Sequence, residues 1–536
     1  MQKFNDNNHL YLDTNECTSR GACSVSPNIF LLQELVMFFL QQIAYYVIKL
    51  ENLGANNKSI KYDIVSDIAA LVSINEFNEE QLYSMVIKEY FLLENTREAY
   101  KKLSIKKNMP SVMLKKSVNI DNSTQISKAI AVGEKLFLSR YKKLSTRQKN
   151  LIDILEIVIK SCASNLINLN DIDYFDDEIY HEILSALNFL NQSKMQDGEL
   201  SDYISNLAKA DYKLQLQISD SLINKFGKID NTEVSYSTRK GKAILVSGNN
   251  FENLYEILKE TEGKSIDIYT HANLLIAHAL KKFNDFENLI GHYGDKTENS
   301  ILDFSTFPGS ILLTKTSKKN SEYLYRGRLY SCDYVVPKGV IKIENGDYSQ
   351  LIEASLNSKG FARGKSKPSS NVGFNEDKIA AKFREIAHDL KSKKFERLYI
   401  IGINPYSEVQ RMYFKTMLGR LNENEYAINF SDVFTDKENI LSINIGNFSP
   451  LVISLLSKFF ADYPVSSDNI YFFFPTCDVL TISNIITLNS ERAKNIYMAD
   501  CSPTLLNPSI FTTFRKLYNV KLTNDVYQDL SSIRQK

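Results

Sequence analysis

The stretch AILVSGNNFENLYEILKETEGKSIDIYTHANLLIAH, residues 243–278, decides the fold. It begins with a short apolar run, AILVSG (243–248), that ends in glycine and is followed by a helical pattern. The same form then repeats, because SIDIYTH (265–271) is followed by the second helical pattern ANLLIAHALKKF. Apolar strands that alternate with amphipathic helices are typical of parallel α/β domains. This stretch therefore predicts a Rossmann-like unit.

Further strand-like runs extend the pattern on both sides of a basic segment. Two of them continue the first unit, SILLTK (310–315) and RLYSC (328–332). Four later runs predict a second unit: RLYIIGI (397–403), ILSINIG (440–446), IYFFFP (470–475) and NIYMAD (495–500). The segment 359–373, KGFARGKSKPSSNVG, is rich in Lys, Gly, Ser and Pro, which predicts a linker between the two units.

The part of the chain before residue 235 has a different, helical pattern. Its first run, SPNIFLLQELV, offers Ser26 as an N-cap and Pro27 at the first helical position. Apolar residues at helical spacing recur up to about residue 226, which predicts a helical bundle. The predicted fold class is thus α + α/β, an all-helical N-terminal bundle followed by two Rossmann-like parallel α/β domains. The predicted domains are residues 1–235, 236–370 and 371–536.

The most hydrophobic run, residues 29–50, is long enough to test as a membrane span. Four polar residues interrupt it: Gln33, Glu34, Gln41 and Gln42. Since burying these groups in lipid would be costly, a helix inside the bundle is the expected structure. The N-terminal residues MQKFNDNNHLYLD contain no apolar segment of the secretory type, so a cytoplasmic location and no membrane partner are expected.

Composition narrows the range of partners and of covalent chemistry. The chain of 536 residues carries 64 Lys and Arg against 63 Asp and Glu, a net charge of +1. This balance gives no reason to expect binding to nucleic acid or to an anionic membrane. Six cysteines in a chain of this length argue against a disulfide framework.

The ends of the predicted strands are the expected place for a ligand, because parallel α/β units bind ligands beyond their carboxyl ends. These positions hold amides, hydroxyls, one His and one thiol next to a carboxylate. The candidates for an interdomain cavity are Asn249, His271, Asn273, Ser317, Cys477 and Asp478. They predict a polar small-molecule pocket rather than a metal centre.

Familiar catalytic and phosphate-binding motifs are weak or missing. GFARGKS (360–366) is one residue short of a phosphate-binding loop and follows no predicted strand. The chain contains no G-x-S-x-G, and no Ser-His-Asp arrangement can be read from the sequence alone. His271 and His278 do not suggest a metal-binding pair.

Taken together, the runs at 243–278, FPGSILLTK, YRGRLYSCDYVVPKG, VGFNEDKIAAKFREI and NIYMADCSPTLLNPSIFTTFRKLYNVK resemble the hybrid-cluster protein family. This family is also called prismane or hydroxylamine reductase, and carbon monoxide dehydrogenases are more distant relatives. The N-terminal ECTSRGACS, followed by LLQELVMFFLQQIAYY, continues the resemblance. It covers nearly the whole chain, least clearly from about 55 to 235, and implies the same three-domain organisation.

The resemblance implies a cofactor most of whose ligands this sequence lacks, since only Asp478 keeps a possible ligand at its position. Family members hold an iron–sulfur–oxygen hybrid cluster through one His, two Glu and four Cys, and reduce hydroxylamine or nitric oxide with it. Those ligand positions fall here on Asn249 for the His, Asn273 and Asp478 for the Glu residues, and Ser317, Ile403, residues 429–431 and Phe448 for the Cys residues. Amide, aliphatic and phenyl groups are poor iron ligands or none at all, so the hybrid cluster is predicted to be absent.

The loop ECTSRGACS (16–24) carries Cys17 and Cys23 with five residues between them. They match the last two of four cysteines that hold a conventional cluster in the family, while the first pair is missing from this N-terminus. Two cysteines are half of a [4Fe–4S] site, and a homodimer with a two-fold axis would supply the other half. The alternative is two reduced thiols in a capping loop.

Two functions of different classes follow from this sequence. The first is an oxidoreductase of the hydroxylamine reductase type, using a bridging cluster and a remodelled interdomain cavity. The second is a non-catalytic scaffold, sensor or partner subunit that keeps the fold without any cluster. Fold alone does not decide between them.

Overall fold

The computed structural model describes residues 26–535 apart from these gaps: 73–76, 116–117, 119, 121–122, 143, 193, 295–299, 315–323, 334–335, 337–338, 404–407, 436, 447, 478, 492 and 500–507. Within this part of the chain, a helical bundle is followed by two parallel sheets with helices around them. The predicted fold class is confirmed.

The bundle consists of long helices with well-defined starts. They are α1 (Pro27–Asn52), α2 (Lys58–Ala70), α3 (Glu79–Lys106), α4 (Ile126–Tyr141), α5 (Thr146–Asn170), α6 (Asp177–Phe189) and α7 (Asp197–Phe226). Ser26 caps α1 as the sequence predicts, since its hydroxyl accepts a hydrogen bond from the Ile29 backbone N–H at 3.3 Å. Ser145 and Gln148 form a capping box at the start of α5, which satisfies two N–H groups reciprocally.

Helix α1 is long and apolar enough to cross a membrane by length and composition, but 78% of its most apolar window is buried against protein. Its polar residues have partners on α5. The Lys160 ammonium donates to the Gln33 side-chain carbonyl at 2.9 Å, and the Gln41 amide donates to the Glu156 carboxylate at 3.4 Å. Burial lowers the pKa of Lys160. These paired polar groups place α1 in the bundle interior, as expected.

The first parallel sheet is built from residues 243–278 and the chain that follows them. Its strands are β2 (Lys242–Ser247), β3 (Ile266–His271), β4 (Leu289–His292), β5 (Ser310–Leu313), β6 (Leu329–Ser331) and β7 (Ile341–Lys342). The spatial order is β4-β3-β2-β5-β6-β7, with every neighbouring pair parallel. This is the 3-2-1-4-5-6 order of a Rossmann sheet, and the strand order reverses between β2 and β5.

The first α/β unit also contains α-helices between and after its strands. They are α8 (Phe251–Thr261), α9 (Ser300–Thr306) and α10 (Ser349–Asn357). The prediction of a regular α-helix at ANLLIAHALKKF is wrong, because the segment forms the 3₁₀ helices Ala272–Ala279 and Lys281–Asp285. Ala272 itself has φ +58°, so the chain turns sharply after β3 and does not enter a regular α-helix.

The second sheet repeats the same topology. Its strands are β9 (Arg397–Ile401), β10 (Glu425–Asn429), β11 (Ile440–Ser442), β12 (Ile470–Phe474), β13 (Asn495–Met498) and β14 (Val520–Leu522), in the order β11-β10-β9-β12-β13-β14. Its helices are α11 (Glu376–Lys391), α12 (Glu408–Gly419), α13 (Ser449–Asp462), α14 (Val479–Ser490), α15 (Pro508–Leu517) and α16 (Val526–Arg534). Here the strand order reverses between β9 and β12.

The segment predicted as a linker is hydrogen-bonded to the chain before the first sheet. Strand β1 (Thr232–Ser235) pairs antiparallel with β8 (Ser369–Val372), and isolated bridges join Thr238 to Lys365 and Gly241 to Phe361. The composition suggested free chain, but regular backbone pairing holds the segment in place. The exact domain boundaries at 235/236 and 370/371 stay predictions.

A buried polar cluster joins the bundle to the last α/β unit. Asp211 on α7 is fully buried and accepts hydrogen bonds from Asn165 of α5 at 2.8 Å and from Ser483 of α14 at 3.1 Å. Gln215 of α7 donates to Asn484 of α14 at 2.8 Å. Burial raises the pKa of Asp211. Because the partners come from both parts, this cluster fixes how the bundle sits against the second sheet.

Candidate functional site

The first sheet edge is defined by the carboxyl ends of β2, β3 and β5, around Ser247, His271 and Thr314. Ser247 is the last residue of β2 and lies beside His271 on β3 and Leu313 on β5. The Thr314 backbone N–H and hydroxyl both donate to the Ser247 carbonyl, at 2.8 and 2.9 Å. This edge includes the point where the strand order reverses, which is the usual ligand position in such sheets.

Two asparagines follow this edge and differ in what they do. The Asn250 side chain caps α8 by accepting from the Asn253 N–H at 2.9 Å, and its amide donates to Asp171 of the bundle at the same distance. Asn249 is half-buried, and its side-chain oxygen is buried without a hydrogen-bond partner in the described part of the chain. An unpaired buried oxygen costs free energy, so this atom is available to a ligand donor.

His271 is buried between a hydroxyl and a carboxylate. Its Nδ1 lies 2.8 Å from the Ser247 hydroxyl, and its Nε2 lies 3.3 Å from the Asp303 carboxylate on α9. Only 1% of His271 is exposed, and the same is true of Ser247. The three side chains therefore form one hydrogen-bonded chain at the sheet edge.

Two further histidines lie next to this chain. The Thr270 hydroxyl is 2.8 Å from His278 Nε2 and 2.9 Å from His292 Nδ1, and the rings of His271 and His292 are parallel with centroids 6.3 Å apart. Burial lowers the pKa of His278 to about 4 and that of His292 well below its usual value. Both rings are therefore neutral at pH 7.

Asn273 lies where the two α/β units meet. It is half-buried in the 3₁₀ helix after β3, and the backbone of that helix approaches Gly446 of the second unit. A Cβ at Gly446 would lie 3.1 Å from the Leu275 Cβ and 3.6 Å from the Asn273 carbonyl oxygen. Glycine at this position lets the two carboxyl edges come together.

The second sheet edge is defined by the carboxyl ends of β9 and β10 and the start of α13, around Ile403, Asn429 and Phe448. Ile403 is fully buried. The Asn429 amide donates to the Val433 carbonyl at 2.6 Å, and its oxygen accepts from the Ser431 N–H at 3.0 Å. The Phe448 ring packs edge-on against Phe251 of α8, with centroids 5.3 Å apart. Internal bonds and apolar packing thus occupy this edge.

Of the remaining sequence-predicted positions, only Cys477 lies within the described residues. It is buried after β12 and is disulfide-bonded. The composition argued against a disulfide framework, yet this cysteine is engaged in a disulfide. A sulfur in a disulfide cannot bind iron as a thiolate. Ser317, Asp478, Cys17 and Cys23 lie outside the described residues.

The described residues of the two edges do not offer a donor set that fits an iron cluster. Asn249 and Asn273 offer amides, Ile403 and Phe448 offer hydrocarbon, and Asn429 and Ser431 bond each other. In the part of the chain that the structure describes, no three His, Cys, Asp or Glu side chains are grouped so as to hold a metal ion. Iron in proteins of this kind needs thiolate, imidazole or carboxylate ligands.

Sequence reasoning identified His271 but missed its partners. Asp303 lies 32 residues further along the chain, and Ser247 lies 24 residues before it. The strand register places Ser247 beside His271, and the Asp303 carboxylate on α9 lies next to the same imidazole. The one available signal was the strand-end position of Ser247 within AILVSG, which stands directly before the glycine.

A family model described as the Prismane/CO dehydrogenase family matches residues 13–428. A hydroxylamine reductase of Zymomonas mobilis is 26% identical over 389 residues, which are 72% of this chain and 70% of that protein. A hydroxylamine reductase of Kosmotoga olearia is 24% identical over 564 residues and 98% of each chain.

One solved structure of similar fold contains alpha subunits of acetyl-CoA synthase/carbon monoxide dehydrogenase with NiZn[Fe4S4] and NiNi[Fe4S4] clusters. It aligns with a TM-score of 0.50 and 10% identity, over 98% of this chain and 84% of that one. At this level of identity the likeness concerns the fold alone.

Proposed function

The chain belongs to the prismane/CO dehydrogenase family, and from that premise we propose that it is a divergent, hydroxylamine-reductase-like member without the hybrid cluster. Relatives named hydroxylamine reductase match 72% and 98% of its length, which supports an oxidoreductase ancestry. Any activity of its own would be the reduction of a small nitrogen compound such as hydroxylamine or nitric oxide. The interdomain region around Asn249, His271 and Asn273 would hold that compound.

The observation that carries this proposal is the chemistry of the second sheet edge. Ile403 and Phe448, at two positions where the family places cysteines, are buried in apolar packing. Asn429 and Ser431, near a third, satisfy each other by hydrogen bonds. A cluster at this place would have to displace a packed ring and break internal bonds while gaining no thiolate.

A conventional cluster remains part of the proposal at the N-terminal loop. Cys17 and Cys23 would hold one [4Fe–4S] cluster on the two-fold axis of a homodimer, with two thiolates from each chain. The dimer, a cytoplasmic location, and the absence of nucleic-acid and membrane partners belong to the same proposal. The balanced charge of +1 supports the last of these.

The alternative is a scaffold, sensor or partner subunit that binds no iron. It is favoured by the apolar packing at the second sheet edge. It is also favoured by the buried polar cluster around Asp211 that holds the bundle against the last α/β unit. In this case the family fold would be kept for its shape and for one small-molecule pocket near Asn249.

Anaerobic purification with iron and sulfide analysis and EPR spectroscopy tests the proposal. We expect about two irons per chain, because one [4Fe–4S] cluster is shared by two chains. Cys17→Ser should lose the iron and the dimer together, whereas Cys332→Ser, a half-buried free thiol bonded to Tyr348, should keep both. About four or more irons per chain would overturn the loss of the hybrid cluster. No iron under strict anaerobiosis would select the scaffold alternative.

A further inference from the structure

We propose that Ser247, His271 and Asp303 at the first sheet edge form a nucleophile, base and orienting carboxylate that takes up the acyl group of a small ester. The proposal goes beyond the reductase ancestry and needs no iron. It rests on one continuous hydrogen-bonded chain, with Ser247 Oγ 2.8 Å from His271 Nδ1 and His271 Nε2 3.3 Å from Asp303 Oδ2.

The bonding partners determine the tautomer of His271. An ionised carboxylate only accepts hydrogen bonds, so Asp303 requires the proton of His271 to be on Nε2. The lone pair is then on Nδ1, where it accepts the hydrogen of the Ser247 hydroxyl. A serine becomes a nucleophile when a neighbouring base takes its proton and a third group holds that base in place. The three residues meet both conditions, with the two ring nitrogens in exchanged roles relative to most serine hydrolases.

Two glycines fit the backbone to this arrangement. Gly248 directly follows Ser247 and has φ +126°, a conformation that turns the chain from β2 towards α8. Gly294 has φ +86°, and a Cβ there would lie 2.4 Å from Asp303 Oδ2 and 2.9 Å from His271 Cδ2. Without a side chain at Gly294, the carboxylate can reach the imidazole.

The surroundings supply the other parts of an acyl-transfer site. Ser247 ends a strand at the point where the sheet order reverses, and the N-terminus of the 11-residue helix α8 begins four residues later. The Asn250 N–H of this turn is bound to the Thr314 hydroxyl at 3.3 Å, so the N–H groups of Gly248 and Asn249 would be the donors for a developing oxyanion. The unpartnered side-chain oxygen of Asn249 can accept a hydrogen bond from an N–H or O–H of the substrate. The substrate class is therefore a small acyl ester with a donor near its carbonyl.

The reaction is balanced without a cofactor. Ser247 Oγ attacks the ester carbonyl, its proton moves to His271 Nδ1, and the C–O bond to the alcohol breaks as the alcohol takes that proton. Water then attacks the acyl-serine, gives its proton to Nδ1, and the Ser247 oxygen leaves and recovers the proton. The sum is ester plus water giving acid plus alcohol. Asp303 does not touch the substrate and acts as a positioning residue for His271.

A fluorophosphonate probe tests the nucleophile on the full chain. We expect covalent labelling of Ser247, located by peptide mass spectrometry, with fluoride as the leaving group. Ser247→Ala should abolish the label. Ser331→Ala is the matched control, because Ser331 is also a fully buried serine at the end of a strand of this sheet and its hydroxyl accepts from the Asp333 N–H. That variant should be labelled like the unchanged protein.

Variants of the base and the carboxylate separate catalysis from folding. His271→Gln should slow labelling by at least about 100-fold, the usual contribution of a general base. Asp303→Asn should lower the maximal labelling rate by at least about tenfold and leave the half-saturating probe concentration unchanged, because it misorients the base without touching the probe. Circular dichroism and thermal unfolding of each variant must match the unchanged protein, and p-nitrophenyl acetate hydrolysis should fall in parallel.

Two results would overturn the proposal. One is the absence of label on Ser247 while a reference serine hydrolase in the same tube is labelled. The other is equal labelling of the unchanged protein and a folded His271→Gln variant. Neither result depends on iron, so failure here and failure of the reductase-like proposal are told apart by the separate iron analysis.

Discussion

The two sheet edges have the same topology and opposite chemistry. Both sheets follow the 3-2-1-4-5-6 order, and both place a strand end at the point of reversal. At the first edge, Ser247, His271 and Asp303 form a hydrogen-bonded chain, with two more buried histidines beside it. At the second edge, Ile403 and Phe448 are buried in apolar packing. The same sheet topology thus carries a polar site in the first α/β unit and a packed apolar edge in the second.

This difference shows that strand order determines only where a site can form. The residue types after the strands determine whether the place binds a ligand, accepts a proton or simply packs. Since a packed edge and a hydrogen-bonded edge respond differently to substitution, three sets of variants can test the contrast.

The largest expected effect is at the packed second edge. Phe448→Ala removes a buried ring that contacts Phe251 across the two α/β units. The lost burial of the apolar ring, together with the cavity that it leaves, should lower the free energy of unfolding by about 3–5 kcal/mol. Urea denaturation measures it, and Phe434→Ala is the control because that ring is 52% exposed and should change stability little. A small loss at Phe448 would mean that this edge is open and not packed.

At the first edge, a smaller loss should come from one added methyl group. Gly294→Ala would force the Asp303 carboxylate away from His271 and strain a backbone with φ +86°. Overpacking and the left-handed conformation together should lower the free energy of unfolding by about 2–4 kcal/mol. Gly263→Ala is the matched control, because Gly263 has φ +71° with nothing within 4 Å, so only the backbone cost of about 1 kcal/mol should remain. Equal losses in the two variants would show that Asp303 and His271 are not tightly placed.

Most of the fold could be predicted from local sequence patterns. AILVSG and SIDIYTH became β2 and β3 almost residue for residue, because buried parallel strands are short apolar runs bounded by turn residues. Strand β10 was missed because it begins with Glu425. That carboxylate is fully buried, where it accepts from the Arg534 guanidinium at 2.9 Å and from the Tyr399 hydroxyl at 2.9 Å. A charge that is satisfied by partners about 110 and 26 residues away cannot be recognised as buried from its neighbours in sequence.

The candidate site was predictable only in part, for a similar reason. The rule that ligands bind at strand ends pointed to Asn249, His271 and Asn273. It could not identify Asp303, whose contact with His271 depends on distances that the sequence does not contain and on the missing side chain of Gly294. Nor could it foresee the disulfide at Cys477, since pairing depends on distances that the sequence does not contain.

The smallest expected effect is a loss of stability in acid that comes from the first edge. Burial lowers the pKa of His278 to about 4 and keeps the ring neutral, while the same side chain in the unfolded chain protonates near 6.5. As the pH falls below 6.5 the unfolded state binds a proton that the folded state refuses, so stability present above 6.5 is lost progressively down to about pH 4. Between pH 7 and pH 5 this loss should be about 2 kcal/mol, at 1.36 kcal/mol per pH unit.

This loss is measured by denaturant unfolding at pH 7 and at pH 5. The unchanged protein is compared with the His278→Gln and His388→Gln variants. His278→Gln should remove about that share of the pH dependence, because the amide can still accept from Thr270 but does not titrate. His388→Gln is the control for replacing a histidine outside the first edge, because His388 is exposed on α11 of the second unit. If His278→Gln retained the full acid sensitivity, His278 would not be its source.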